Sequence, residues 1–77
     1  MYLDEYQKQT AVTALYPGAG RGTVDAISYS ALGLTGEAGE IANKVKKIIR
    51  DDAGVLTDNK RSDIVAELGD VLWYLAR

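Results

Sequence analysis

Residues 36–47, GEAGEIANKVKK, and residues 67–76, ELGDVLWYLA, decide the fold of this chain. Each contains an acidic pair at i,i+3: Glu37 with Glu40, then Glu67 with Asp70. That spacing puts both carboxylates of a pair on one side of a helix. With Glu37 at 0° and about 100° per residue, Leu34, Ile41, Val45, Ile48, Ile27 and Ala38 fall between roughly 20° and 100°. Glu37 stands at the edge of that apolar stripe, and Glu40 lies one step further out at about 300°. With Glu67 at 0°, Ile64, Val71, Leu75, Leu68, Leu72 and Val65 cover roughly 40° to 160°, and Asp70 again falls near 300°. Both helices therefore carry their acids on the same flank of an apolar stripe. Packed stripe to stripe as a hairpin, they would line up four carboxylates along one edge with no cation built in between. Clustered like charges repel and raise one another's pKa. A divalent cation resolves that conflict, and its usual company is phosphate.

Working outward, the second helix is expected from about Asp25 to Arg50, with Asp25 able to cap its start. Gly33, Gly36 and Gly39 interrupt it. Each costs up to about 1 kcal/mol relative to Ala in a helix interior, so something is expected to approach the backbone closely there, close helix packing being the plainer form. Residues 51–58 read as the connecting turn, with Gly54 suited to a position past the helix end and Thr57 or Asp58 to the next cap. The third helix is expected from about Asn59 to the end of the chain. A first helix is expected from about Leu3 to Leu15, with Asp4 as a plausible cap. It stops at Pro17-Gly18, where PGAGRGT reads as a loop. No convincing strand appears. The fold class is all-α: a helical hairpin plus an N-terminal helix, in one domain over residues 1–77. The apolar period still runs at Leu75 and no C-cap signal follows, so a further helical part and an oligomeric bundle are expected.

Composition narrows the chemistry. The 77 residues contain no Cys and no His. Disulfides, thiolate sites, His-ligated zinc and a His general base are all excluded. Any metal would be bound by oxygen, as Mg²⁺, Mn²⁺ or Ca²⁺ are. The net charge of −2 and the absence of a basic cluster with aromatics argue against nucleic-acid binding. The N-terminus is polar and acidic, unlike a signal peptide, and no apolar run reaches membrane-spanning length. A cytoplasmic protein without nucleic-acid or membrane partners is expected. Gly18-x-Gly20-x-Gly22 is not a phosphate loop, because no strand precedes it and no Gly-Lys-Ser/Thr follows. Arg21 within it has the reach for a phosphate or a neighbouring subunit.

The stretch LGLTGEAGEIANKVKKIIRD followed by ELGDVLWYLA resembles the MazG-like nucleoside triphosphate pyrophosphohydrolases, an all-α superfamily that also holds the dimeric dUTPases. Its hallmark is E-x-x-E, a gap, then E-x-x-D; here the gap is the 26 residues 41–66. YQKQTAVTALYP and KVKKIIRD are similar too. The resemblance implies that Glu37, Glu40, Glu67 and Asp70 hold Mg²⁺, with Mn²⁺ as a possible substitute. It implies cleavage of a nucleoside triphosphate to the monophosphate and pyrophosphate, as nucleotide-pool house-cleaning. It also implies homodimers or homotetramers whose sites draw on more than one chain. Glu37 is then the residue assigned to orient or deprotonate the water. Lys44 and Lys47, at about 340° and 280° on the acid flank, are expected at the substrate phosphates, although solvated ion pairs such as Glu40 with Lys44 also explain them. Tyr74, near 340° between the two acids, is expected in the substrate pocket. Trp73, near 240°, is expected at a subunit interface, and Tyr6 and Gln7 either line the pocket or pack in the core. Two alternatives stand beside this reading: a non-catalytic helical oligomerisation module with a solvated acidic face, and a phosphohydrolase of another pyrophosphate-containing substrate.

Overall fold

A computed structural model describes all residues, 1–77. The first helix, α1, spans Leu3–Thr10 and tightens into a 3₁₀ turn over Ala11–Thr13. It is shorter than its pattern suggests because the Thr10 and Thr13 hydroxyls donate back to the carbonyls of Gln7 and Thr10, at 2.6 and 3.2 Å. Asp4 does not cap it; Tyr2 occupies the N-cap without a side-chain bond, and Asp4 sits in the first turn. The loop that follows turns repeatedly, with Gly18, Gly20 and Gly22 all at positive φ. Side chains rarely adopt that backbone, so the glycines serve the path of the chain.

The long helix α2 spans Val24–Asp51 and α3 spans Asp58–Ala76. Thr23, not Asp25, caps α2: its hydroxyl accepts from the Ala26 amide at 3.2 Å. Thr57 caps α3 in the same way, accepting from Lys60. At the end of α2 the Gly54 amide reaches back to the Ile48 carbonyl at 3.0 Å, with Gly54 at φ 77°. A left-handed glycine past a helix end closes the last turn in this manner. The short connection folds α3 back antiparallel on α2, so that Tyr74 meets Gly33 near one end and Glu67 and Asp70 meet Glu37 further along. The first helix lies across the far end of α3. The Gln7 side-chain amide donates to the Ala76 carbonyl at 3.0 Å, and the Trp73 indole donates to Thr13 Oγ1 at 2.9 Å.

The result is a plate of 45 × 28 × 16 Å. Its long edge is α2, since 28 residues at about 1.5 Å each span about 42 Å. Its thickness is little more than one helix. Only Thr10, Ala26 and Ile48 are fully buried. The expected stripe is half covered: Leu34, Ile41, Ile64 and Val71 are partly shielded, whereas Ile27, Val65, Leu68 and Leu75 stay more than half exposed. The accessible surface is 5693 Å², against about 4,600 Å² expected of a compact monomer of this mass.

Candidate metal centre

Glu37 projects from the middle of α2, and Glu67 and Asp70 from the facing stretch of α3. One carboxylate oxygen from each of the three lies within 4.8 Å of the other two. Glu37 and Glu67 are half-buried and Asp70 is exposed. The structure therefore brings together three of the four expected acids. Glu40 is exposed and stands outside the group, although its charge is still felt at Glu37.

Nothing cationic neutralises this cluster. The only ion pair in the protein joins Arg50 to its neighbour Asp51 at 2.7 Å. The favourable pairing of Glu40 with Lys44 does not form. Lys44 is half-buried and Lys47 exposed, and neither reaches an acid of the cluster. The charge of Lys47 acts instead on Asp51, helping to hold that carboxyl below its ordinary range, behind the larger effect of the Arg50 hydrogen bond.

The electrostatic consequence falls on Glu37, whose carboxyl is pushed up from 4.5 to about 7. A hydrogen bond shared with the Glu67 carboxyl is the largest cause, followed by loss of solvent and by the charges of Glu67, Asp70 and Glu40. Glu67 Oε2 is buried and has no hydrogen-bond partner. A buried carboxylate oxygen left without a donor is costly. Either a proton held between the carboxyls or a cation relieves it. The donor set is oxygen only, from three carboxylates of which two are partly shielded. That set fits a hard dication, which takes a few carboxylates and fills its remaining positions with water or substrate oxygens. Such a cation would be held by Glu37, Glu67 and Asp70.

Beside the acids lies a cleft of about 440 Å³, lined among others by Thr13, Tyr16, Tyr29, Trp73 and Tyr74. Tyr16 and Tyr29 stack at 4.4 Å with planes 7° apart. Trp73 stands edge-on to Tyr16 at 6.3 Å and to Tyr74 at 5.0 Å. Trp73 is therefore packed within its own chain, against the 3₁₀ turn and the loop, and its indole N–H is already used by Thr13. It is only half-buried by these contacts, so part of its surface is left for the subunit contact expected of it. Tyr74 does line this cleft. Its hydroxyl titrates above its ordinary range, chiefly through burial, with contributions from Tyr29, Glu37 and Asp70. Of the three interrupting glycines only Gly33 is closely approached, by the Tyr74 ring; space is open at Gly36 and Gly39. Tyr6 and Gln7 line a separate apolar groove of about 310 Å³ with Leu72 and Leu75. Tyr16 and Tyr29 escaped the sequence reading. Their only signal was an aromatic residue on each side of a glycine-rich loop, which gains meaning once the loop folds.

Comparisons with known proteins identify the family. The family model of the MazG nucleotide pyrophosphohydrolase domain matches residues 27–77, a span that holds all four acids. The chain is 56% identical over 78 residues to the Gene 37 protein of Mycobacterium phage L5, covering 100% of this chain and 68% of that protein. No solved structure matches it. An all-α hairpin carrying E-x-x-E and E-x-x-D, a converging set of carboxylates and a family match over most of its length make this chain a member of the MazG nucleotide pyrophosphohydrolase family.

Proposed function

We propose that this chain hydrolyses nucleoside or deoxynucleoside triphosphates to the monophosphate and pyrophosphate, with Mg²⁺ as the working cation and Mn²⁺ as a substitute. The observation that carries the reading is the carboxylate group Glu37, Glu67 and Asp70, drawn together without a counter-charge. When bound, the cation neutralises phosphate charge and lowers the pKa of a water. Glu37, Glu67 and Asp70 are its ligands in this proposal, and Glu40 joins them from the exposed flank of α2. Glu37 is the group assigned to take the proton of the attacking water. Without a cation its carboxyl is pushed up to about 7 by the neighbouring acids, the repulsion that a bound cation would relieve. Asp70, the most exposed of the three, is the one most open to an incoming phosphate chain. Lys44 and Lys47 contact the outer phosphates, and Tyr74 lies where the sugar and base emerge. No Cys or His is needed, since the nucleophile is water.

We further propose that the working form is a homodimer or homotetramer. The apolar stripes left open on both long helices support it, because monomers seldom expose so much contiguous apolar surface. The decisive experiment is pyrophosphate release from a panel of NTPs and dNTPs with Mg²⁺. Release is expected from the wild type and absent from the Glu40→Gln, Glu67→Gln double variant; activity that survives in the double variant refutes the assignment.

A further inference from the structure

We propose that Gly33 is a positioning residue for substrate selection: lacking a Cβ, it seats the Tyr74 ring as the partition between the carboxylate cluster and the aromatic cleft, which receives the nucleobase. The substrate class rests on the reading above; the geometry stands by itself. A Cβ built on Gly33 would clash with three atoms of the Tyr74 ring. Contacts that close do not occur, so any larger residue at 33 must expel the ring. At the two other glycines of this stretch, Gly36 and Gly39, a Cβ meets nothing. The helix therefore tolerates a glycine at 33 for a reason specific to Tyr74, at a position where Ala would favour the helix.

Tyr74 is suited to the role of partition. It follows Asp70, a member of the carboxylate group, by one helical turn, and it lines the aromatic cleft together with Tyr16 and Tyr29. Trp73 stands edge-on to it. On the far side the Tyr16 hydroxyl and Ser30 Oγ lie 3.3 Å apart, holding the Tyr16–Tyr29 stack in place. The cleft is thus walled by aromatic rings, two of which, Tyr16 and Trp73, are held by hydrogen bonds of their own polar groups. Planar bases bind such walls by stacking. A triphosphate with its phosphates at the carboxylates would extend its base past Tyr74 into that space. If Gly33 acts only through Tyr74, the two positions are coupled and their effects are not additive.

Two readouts test this on the whole chain. Trp73 is the sole tryptophan, so its fluorescence reports the cleft without any hydrolysis. Deoxynucleoside monophosphates are expected to quench it in the wild type and to do so about tenfold more weakly in Gly33→Ala, the size of a lost stacking contact. In pyrophosphate release, Gly33→Ala is expected to raise KM about tenfold and flatten the preference among bases, with kcat changed less than about threefold. In a Tyr74→Ala background the Gly33→Ala change is expected to do nothing further. Should Gly33→Ala fail to fold, the double variant relieves the clash, and its folding with the constants of Tyr74→Ala supports the proposal. Quenching and KM indifferent to Gly33→Ala, an equal Gly33→Ala effect with Tyr74 removed, or a double variant that also fails to fold overturns it. Monophosphate quenching that depends on Gly33, in a chain that releases no pyrophosphate, upholds the cleft and refutes the hydrolase reading instead.

Discussion

Two carboxylates on the same helix live in opposite surroundings. Asp51, at the end of α2, is held by Arg50 through two hydrogen bonds of 2.7 Å, and its pKa falls. Glu37, in the middle of α2, faces Glu67 and Asp70 with no cation in reach, and its pKa climbs to about 7. The first arrangement is what a surface acid does when only stability matters. The second raises the energy of the folded, ionised chain, a cost that the cation of the proposed function would offset. The contrast separates charge that decorates a fold from charge that waits for a ligand.

The largest expected effect breaks the second environment. Glu67→Gln removes the orphaned oxygen and its charge, and pyrophosphate release should fall at least about a hundredfold, since even outer-shell partners of metal ligands are worth 10–100-fold. Glu40→Gln should cost less, because Glu40 stands outside the converging group; steady-state kinetics of the two variants orders them. Equal losses would mean that the fourth acid swings in when substrate arrives. Millimolar Mg²⁺ should next raise the wild-type melting temperature by several degrees at pH 8. A ligand at ten times its Kd contributes about 1.4 kcal/mol to a folded state it alone binds, and a chain this size shifts about 4–8 °C per kcal/mol. Glu67→Gln should lose that shift and Asp51→Asn should keep it.

The pH dependence sharpens the same contrast. Unfolded, Glu37 releases its proton near 4.5; folded, it holds it until about 7. Between those values the native state carries more protons, so stability should decline as pH rises through that window without metal. Melting scans from pH 5 to pH 8 without divalent ions should show the decline, and Glu67→Gln should flatten it. Proton and cation compete for the same oxygens, so Mg²⁺ should bind more tightly at pH 8 than at pH 6. The smallest effect belongs to the paired acid. Asp51→Asn should leave pyrophosphate release within twofold and barely move the melting temperature, as exposed ion pairs contribute little.

How much of this was legible follows from what a helical wheel contains. The three helices, the hairpin and the turn at Gly54 were readable, because apolar period and turn chemistry are local. Thr23 and Asp25 are both good capping residues two apart, and only the backbone angle at entry chose Thr23. The early end of α1 depended on hydroxyls bonding back to carbonyls, which competes with regular helix at any Thr. The wheel also gives Glu40 and Asp70 the same angle, yet only Asp70 joins the cluster. That difference comes from how α2 crosses α3, which neither helix encodes alone. Trp73 shows a related limit of the wheel. A residue off the main stripe looks outward until a third element covers it, and here the Ala11–Thr13 turn does so.

The central claim is that Glu37, Glu67 and Asp70 form a cation site, and anomalous scattering from Mn²⁺-soaked crystals at pH 8 tests it most directly. The account predicts one strong peak within bonding distance of at least two of these three carboxylates, absent from Glu67→Gln crystals grown alongside. Density elsewhere only, or a wild-type site in which Glu37 and Glu67 turn away from each other with no ion between them, would contradict it.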